Sequence, residues 1–134
     1  MGFTEEMNVL SEQCRNYIRA GQISMYSNTL KEMAQLLSQY GRVNDQLKML
    51  ITAFYIDLSG FGQTSYIDCK LVEQIQLVIA SNFMDVDQLE IMYFNWIQPD
   101  MISQHTMSVK DSWYLMRLCI EGKTEHANYI LSKF

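Results

Sequence analysis

Proline is almost missing from this 134-residue chain, with Pro99 its single example, and glycine occurs six times. That excludes a proline-rich linker, a collagen-type repeat or a low-complexity tail. Cysteine is scarce as well. Cys14, Cys69 and Cys119 are odd in number and far apart, which matches neither a disulfide framework nor a CxxC zinc site and predicts a reducing compartment. Long apolar runs are absent too. The longest, Met49 to Phe61, is 13 residues and contains Thr52, Asp57, Ser59 and Gly60, whereas a bilayer span takes about 20 apolar residues. The start, Met1-Gly2-Phe3-Thr4-Glu5-Glu6, has neither the basic opening nor the apolar run of a secretory signal, and position 6 lacks the Ser or Thr of a myristoylation pattern. A cytoplasmic protein without membrane association is expected.

Basic residues are the most unevenly missing class. The chain carries 10 Lys+Arg against 15 Asp+Glu, a net charge of −5. Residues 71–109 contain no Lys or Arg but five acids, Glu73, Asp85, Asp87, Glu90 and Asp100, while both flanks are nearly neutral. Neutralising phosphates requires clustered Lys and Arg, so direct nucleic-acid binding is not expected.

What is present is apolar patterning at helical spacing; no segment alternates as a strand would, and no Asn-Gly or Asp-Gly hairpin signal occurs. Hydrophobic residues make up 49% of the chain, enough for one domain over residues 1–134. The first stripe is Met7, Leu10, Cys14, Tyr17 and Ile18, with Thr4 as the expected N-cap and Glu5 and Glu6 suited to the helix dipole. The second runs from Met25 or Tyr26 through Leu30, Met33 and Leu37 to Tyr40, started by Ser24 or Ser27 and ended by Gly41. The third starts at Asn44 or Asp45 and carries Leu47, Leu50, Ile51, Phe54, Tyr55 and Leu58. Its second half is apolar on nearly every side, the mark of an enclosed helix.

A fourth helix is expected from Thr64 or Ser65, with Ser65 and Asp68 approximating a capping box, through Ile67, Leu71, Ile75, Val78 and Ile79 to a final Phe83. Asp85 or Asp87 caps a fifth, with Leu89, Met92, Tyr93 and Trp96, which must end before Pro99. Residues 98–107 read as a loop. Ser108 with Asp111 opens a sixth helix through Trp113, Met116 and Ile120 to Gly122, and Thr124 caps a short last one. The fold class is therefore all-α, six or seven short helices in a compact domain built from antiparallel helical hairpins.

Two turns echo one another, Leu36 to Asp45 and Leu118 to Glu125: each is a helix end, a glycine, a basic residue, a β-branched residue and an acidic restart. This local form is similar to the hairpin turns of tetratricopeptide-type repeats. Gly41 and Gly122 lie 81 residues apart, which is no multiple of that family's roughly 34-residue period, so the likeness stops at the turn.

No catalytic, metal or cofactor motif stands out. Cys14 and Cys119 sit on apolar stripes as small buried hydrophobes, and Cys69, beside Asp68 and Lys70, is the expected exposed thiol. His105 and His126 lack zinc-ligand spacing, Asp85-Val86-Asp87 lacks the rest of an EF-hand loop, and Gly60-Phe61-Gly62 is not a phosphate loop. Asp57, a carboxylate within an apolar run, must find donors, most simply in a cap or turn.

The acidic span without Lys or Arg is more informative. It also contains Phe83, Met84, Met92, Tyr93, Phe94, Trp96, Met101 and Met107, more apolar surface than one helix stripe can bury. Acids beside residual aromatic and Met side chains describe a face for a basic or amphipathic protein partner, with Asp85, Asp87, Glu90, Phe94, Trp96 and Asp100 as candidate contacts. A non-enzymatic interaction module or adaptor is the leading expectation, with homo-oligomerisation through the same face as its variant. The alternative is an acidic inhibitor or immunity-type protein, of phage or defence context, whose Asp85, Asp87, Glu90 and Asp100 stand in for phosphates. A thiol or acid/base enzyme using Cys69 or Asp57 is the third expectation.

Overall fold

Three helices of equal length open the structure, a computed structural model that describes residues 2–59, 65–98 and 107–134. They are α1 (Phe3–Arg19), α2 (Ile23–Gln39) and α3 (Val43–Ser59), each of 17 residues. The remaining helices are α4 (Cys69–Ser81), α5 (Val86–Trp96), α6 (Val109–Ile120) and α7 (Thr124–Leu131). No strand occurs among the described residues, so the chain is all-α, with seven helices.

Four helices, α1, α2, α4 and α6, stop for a shared reason. At the end of α1 the Gln22 N–H donates to the Tyr17 carbonyl at 2.9 Å and the Gly21 N–H to Ile18 at 3.1 Å. The same pair recurs after α2, Arg42 to Leu37 and Gly41 to Ser38, and after α6, Lys123 to Leu118 and Gly122 to Cys119. This is the Schellman arrangement, which satisfies the last orphan carbonyls and requires a left-handed residue; Gly21, Gly41 and Gly122 supply φ of 71°, 68° and 84°. The echo between the turns at residues 36–45 and 118–125 is this cap. A fourth copy closes α4, Met84 to Ile79 at 2.9 Å and Phe83 to Ala80 at 3.3 Å, and there the left-handed residue is Phe83, at φ 55°. An L side chain in that region costs roughly 1–2 kcal/mol.

Helix starts were legible only where a side chain caps them. Asp85 makes a full capping box with Gln88 at the start of α5, and the Ser108 hydroxyl accepts from the Asp111 N–H at 3.1 Å at the start of α6. Thr4 is not the cap of α1; Gly2 is. Ser24 and Ser27 lie within α2, whose N-cap is Gln22, Asn44 and Asp45 lie within α3, and Thr124 is the first residue of α7 after Lys123. For α2, α3 and α7 the connectors explain the shift: after Gly21, Gly41 and Gly122 the next helix begins two residues later, before any capping side chain arrives. At α4 the cap is Asp68, whose carboxylate accepts from the Lys70 and Leu71 N–H groups, and Ser65 stays outside the helix. Thr64 lies outside the described residues.

By internal packing the chain divides into two compact units, Met1–Ala53 and Phe54–Phe134, with the boundary inside α3. In the first, α1 packs on α2. The Cys14 thiol points at the Met33 sulfur at 3.7 Å, and Leu30, Met33, Ala34 and Leu37 are buried on α2. Phe3 stacks on Tyr40 at 4.6 Å between ring centres, with the Arg42 guanidinium 5.6 Å over the Phe3 ring. Every residue from Leu50 to Ser59 is buried, as the all-round apolar pattern of α3 predicts.

In the second unit α6 is the hub, packing against α4, α5 and α7. It buries Ser112, Trp113, Leu115, Met116, Leu118 and Cys119. Gln76 of α4 donates to the Cys119 and Ile120 carbonyls at 3.3 and 3.2 Å, adding to the Gly122 N–H that Cys119 already accepts and tying α4 to the end of α6. Tyr55 donates its hydroxyl to the Met107 carbonyl at 3.1 Å, fixing the approach to α6.

Candidate docking surface

Of the candidate residues of the acidic span without Lys or Arg, Asp87, Glu90, Phe94 and Trp96 lie on α5, which sorts them by face. Leu89 and Tyr93 are buried, with Met92 and Trp96 half-buried beside them. Asp87, Ile91 and Phe94, spaced by four and three, form one exposed stripe on the opposite side. Ile97, the C-cap of α5, is buried in extended backbone just past the helix.

Polar and aromatic contacts hold this orientation. The Tyr93 hydroxyl, fully buried, donates to the Ser112 hydroxyl at 2.7 Å, which in turn donates to the Val109 carbonyl at 2.7 Å. Burial pushes the Tyr93 phenol far above its ordinary range, against a smaller lowering from the Ser112 bond. Trp113 lies between α5 side chains, its ring 5.3 Å from Tyr93 and 6.3 Å from Phe94, and its indole N–H donates to the Glu90 carboxylate at 3.2 Å. Phe94 is therefore braced from behind while 42% of it faces outward.

The six predicted contacts fare differently. Asp85 spends its carboxylate on the capping box. Glu90 is engaged by Trp113 and lies 3.8 Å from an Arg117 nitrogen, and Arg117 also binds Glu121 at 3.2 Å, so the cation beside α5 is matched by two carboxylates. Asp87 and Phe94 face outward, Trp96 is half-buried, and Asp100, with Met101 and His105, lies outside the described residues.

Two exposed residues join the outward set. Ile91 is 64% exposed, and Phe83 is 94% exposed at the left-handed end of α4. Phe83 was not among the predicted contacts. Helical spacing puts it at the end of the fourth stripe, and no residue type marks the stop: α1, α2 and α6 are each followed by glycine at the left-handed position, whereas α4 is followed there by Phe.

The thiols divide as their stripes imply. Cys14 and Cys119 are buried and Cys69 is exposed. Burial pushes the Cys14 and Cys119 thiols up to about 11, the latter partly offset by a hydrogen bond with Thr124, so both are protonated, non-nucleophilic groups at neutral pH. Asp57 is buried, with its backbone carbonyl accepting from the Tyr66 N–H at 3.1 Å. His126 is exposed. Among the described residues no three His, Cys, Asp or Glu side chains are grouped to hold a metal ion, and no helix is long and apolar enough to cross a membrane. Comparison with family models, curated proteins and solved structures finds no match to this chain.

Proposed function

We propose that this protein acts by binding, as a non-enzymatic interaction module that captures a basic, amphipathic segment of a partner protein on the outer face of α5. The observation that carries this reading is the stripe of Asp87, Ile91 and Phe94, exposed and backed by Trp113, in a span without a single Lys or Arg. Apolar anchors braced by a rigid helix supply contact area at little entropic cost, and unopposed acids steer a cationic partner. The docking segment is a helix, because α5 uses its backbone groups internally and offers no free edge for strand addition.

The phosphate-mimic alternative has less support, since Asp85 and Glu90, two of its four acids, are engaged within the chain. The test uses a Leu/Lys amphipathic peptide of about 14 residues, enough for a helix to form against a surface, titrated calorimetrically beside a scrambled peptide of equal composition. Micromolar binding is expected, at least tenfold weaker for the scrambled peptide and for Ile91→Asp or Phe94→Asp. Equal binding by folded wild type and both variants would refute the assignment, and self-association abolished by the same variants would replace it with a homo-oligomer.

A further inference from the structure

Phe83 is the place where this chain departs from its own rule. Four helices end in the same hydrogen-bond pattern, three with glycine at the left-handed position and one with phenylalanine at φ 55°. A bulky residue there works against folding, and a ring that is 94% exposed recovers almost nothing by packing within the chain. Glycine or asparagine would close α4 at lower cost. Neither stability nor the geometry of the turn accounts for the ring, whereas contact with another molecule does: a costly backbone conformation that persists with no internal benefit is characteristic of binding sites.

We propose that Phe83 is the anchor of the docking surface, a ring held outward by the end of α4 that enters the apolar face of a basic, amphipathic helix in a partner protein. This rests on the reading of α5 given above and adds to it the residue on which affinity turns. The chemistry of the occupant follows from the surroundings. The ring is followed by Asp87 and Ile91 on the outer face of α5, and no basic residue occurs from 71 to 109, so the complementary face is apolar at its centre and rimmed by Lys or Arg. The Met84 and Phe83 N–H groups are tied to α4 and the Asp85 carboxylate starts α5, so in the capped state the ring projects from backbone that is hydrogen-bonded on both sides.

Phe83→Gly separates the two roles, because it relieves the backbone while deleting the ring. Thermal unfolding of this variant is expected to rise by about 3 °C, while affinity for the Leu/Lys peptide falls at least tenfold. Phe83→Leu, which keeps an apolar side chain, is expected to stay within about threefold of wild type. If Phe83→Gly binds the peptide as wild type does while Ile91→Asp does not, the anchor is overturned and the α5 surface stands. If wild type ignores the peptide, both fall. Vesicles of phosphatidylcholine with about one-fifth phosphatidylserine form a second arm: binding to them that disappears in Phe83→Gly overturns the protein partner in favour of a lipid surface.

Discussion

The hydroxyl relay from Tyr93 through Ser112 to the Val109 carbonyl allows a sharp test of how α5 is oriented. Tyr93→Phe deletes the phenolic O–H but leaves Ser112 with its own acceptor, the Val109 carbonyl at 2.7 Å; losing one such bond costs about 1 kcal/mol. Ser112→Ala instead leaves a buried phenol with no acceptor, and that desolvation without compensation costs about 2 kcal/mol. Combining the two removes donor and acceptor together, so the double variant should lose about 1 kcal/mol rather than the sum of about 3, a coupling of about 2 kcal/mol. Urea unfolding followed by tryptophan fluorescence reads all four proteins, since Trp113 packs 5.3 Å from Tyr93. The slope with urea should be the same for each, which keeps the cycle a statement about the native state. Additivity of the two single losses to within about 0.3 kcal/mol would refute the relay.

Other outcomes follow from features on the same helices. Gly41→Ala should cost about 1 kcal/mol in urea unfolding, because nothing lies within 4 Å of an added Cβ and only the positive φ is penalised; a loss near zero would contradict the left-handed cap. Asp85→Ala should destabilise by about 1 kcal/mol through loss of the α5 capping box, with Asp85→Asn losing less. Iodoacetamide at pH 7.5 should modify Cys69 in the folded protein and reach Cys14 and Cys119 only after denaturation. The buried thiols also set an alkaline limit. The unfolded chain gives up their protons near pH 9 while the folded chain holds them to about 11, so their contribution is complete below pH 9 and is lost between pH 9 and 11. Replacing both with Ala should flatten that part of the stability profile.

Helix number, the enclosed second half of α3 and the caps at Asp85 and Ser108 were all readable in the sequence, because each depends on local residue types or on apolar periodicity. Ser24, Ser27, Asn44 and Asp45 misled because they carry capping side chains at positions the preceding left-handed turn had already committed to helix, and Thr4 misled because α1 already starts at Phe3 after Gly2. The docking surface was half legible. Composition located the acidic span without Lys or Arg, yet only the rotation of α5 decides that Asp87, Ile91 and Phe94 face outward, and that rotation comes from contacts with Ser112 and Trp113 on a helix distant in sequence. Glu90 looked available as a charge and is engaged by Trp113 and Arg117 for the same reason. Phe83 was hidden because a left-handed phenylalanine breaks the rule by which turns are read.

The glycine-ended joints have a kinetic consequence. Each stop is written within about six residues and closes on its own helix, so α1, α2 and α6 can reach their final lengths before any neighbour has docked. The search that remains within a hairpin such as α1–α2 is a short loop closure, which belongs to the fast end of the folding range. The end of α4 has no glycine to make that stop inexpensive, and helix α4 is expected to fray and re-form there more often than its siblings. Hydrogen exchange at the Phe83 and Met84 amides should run ahead of exchange at Gly41 and Arg42.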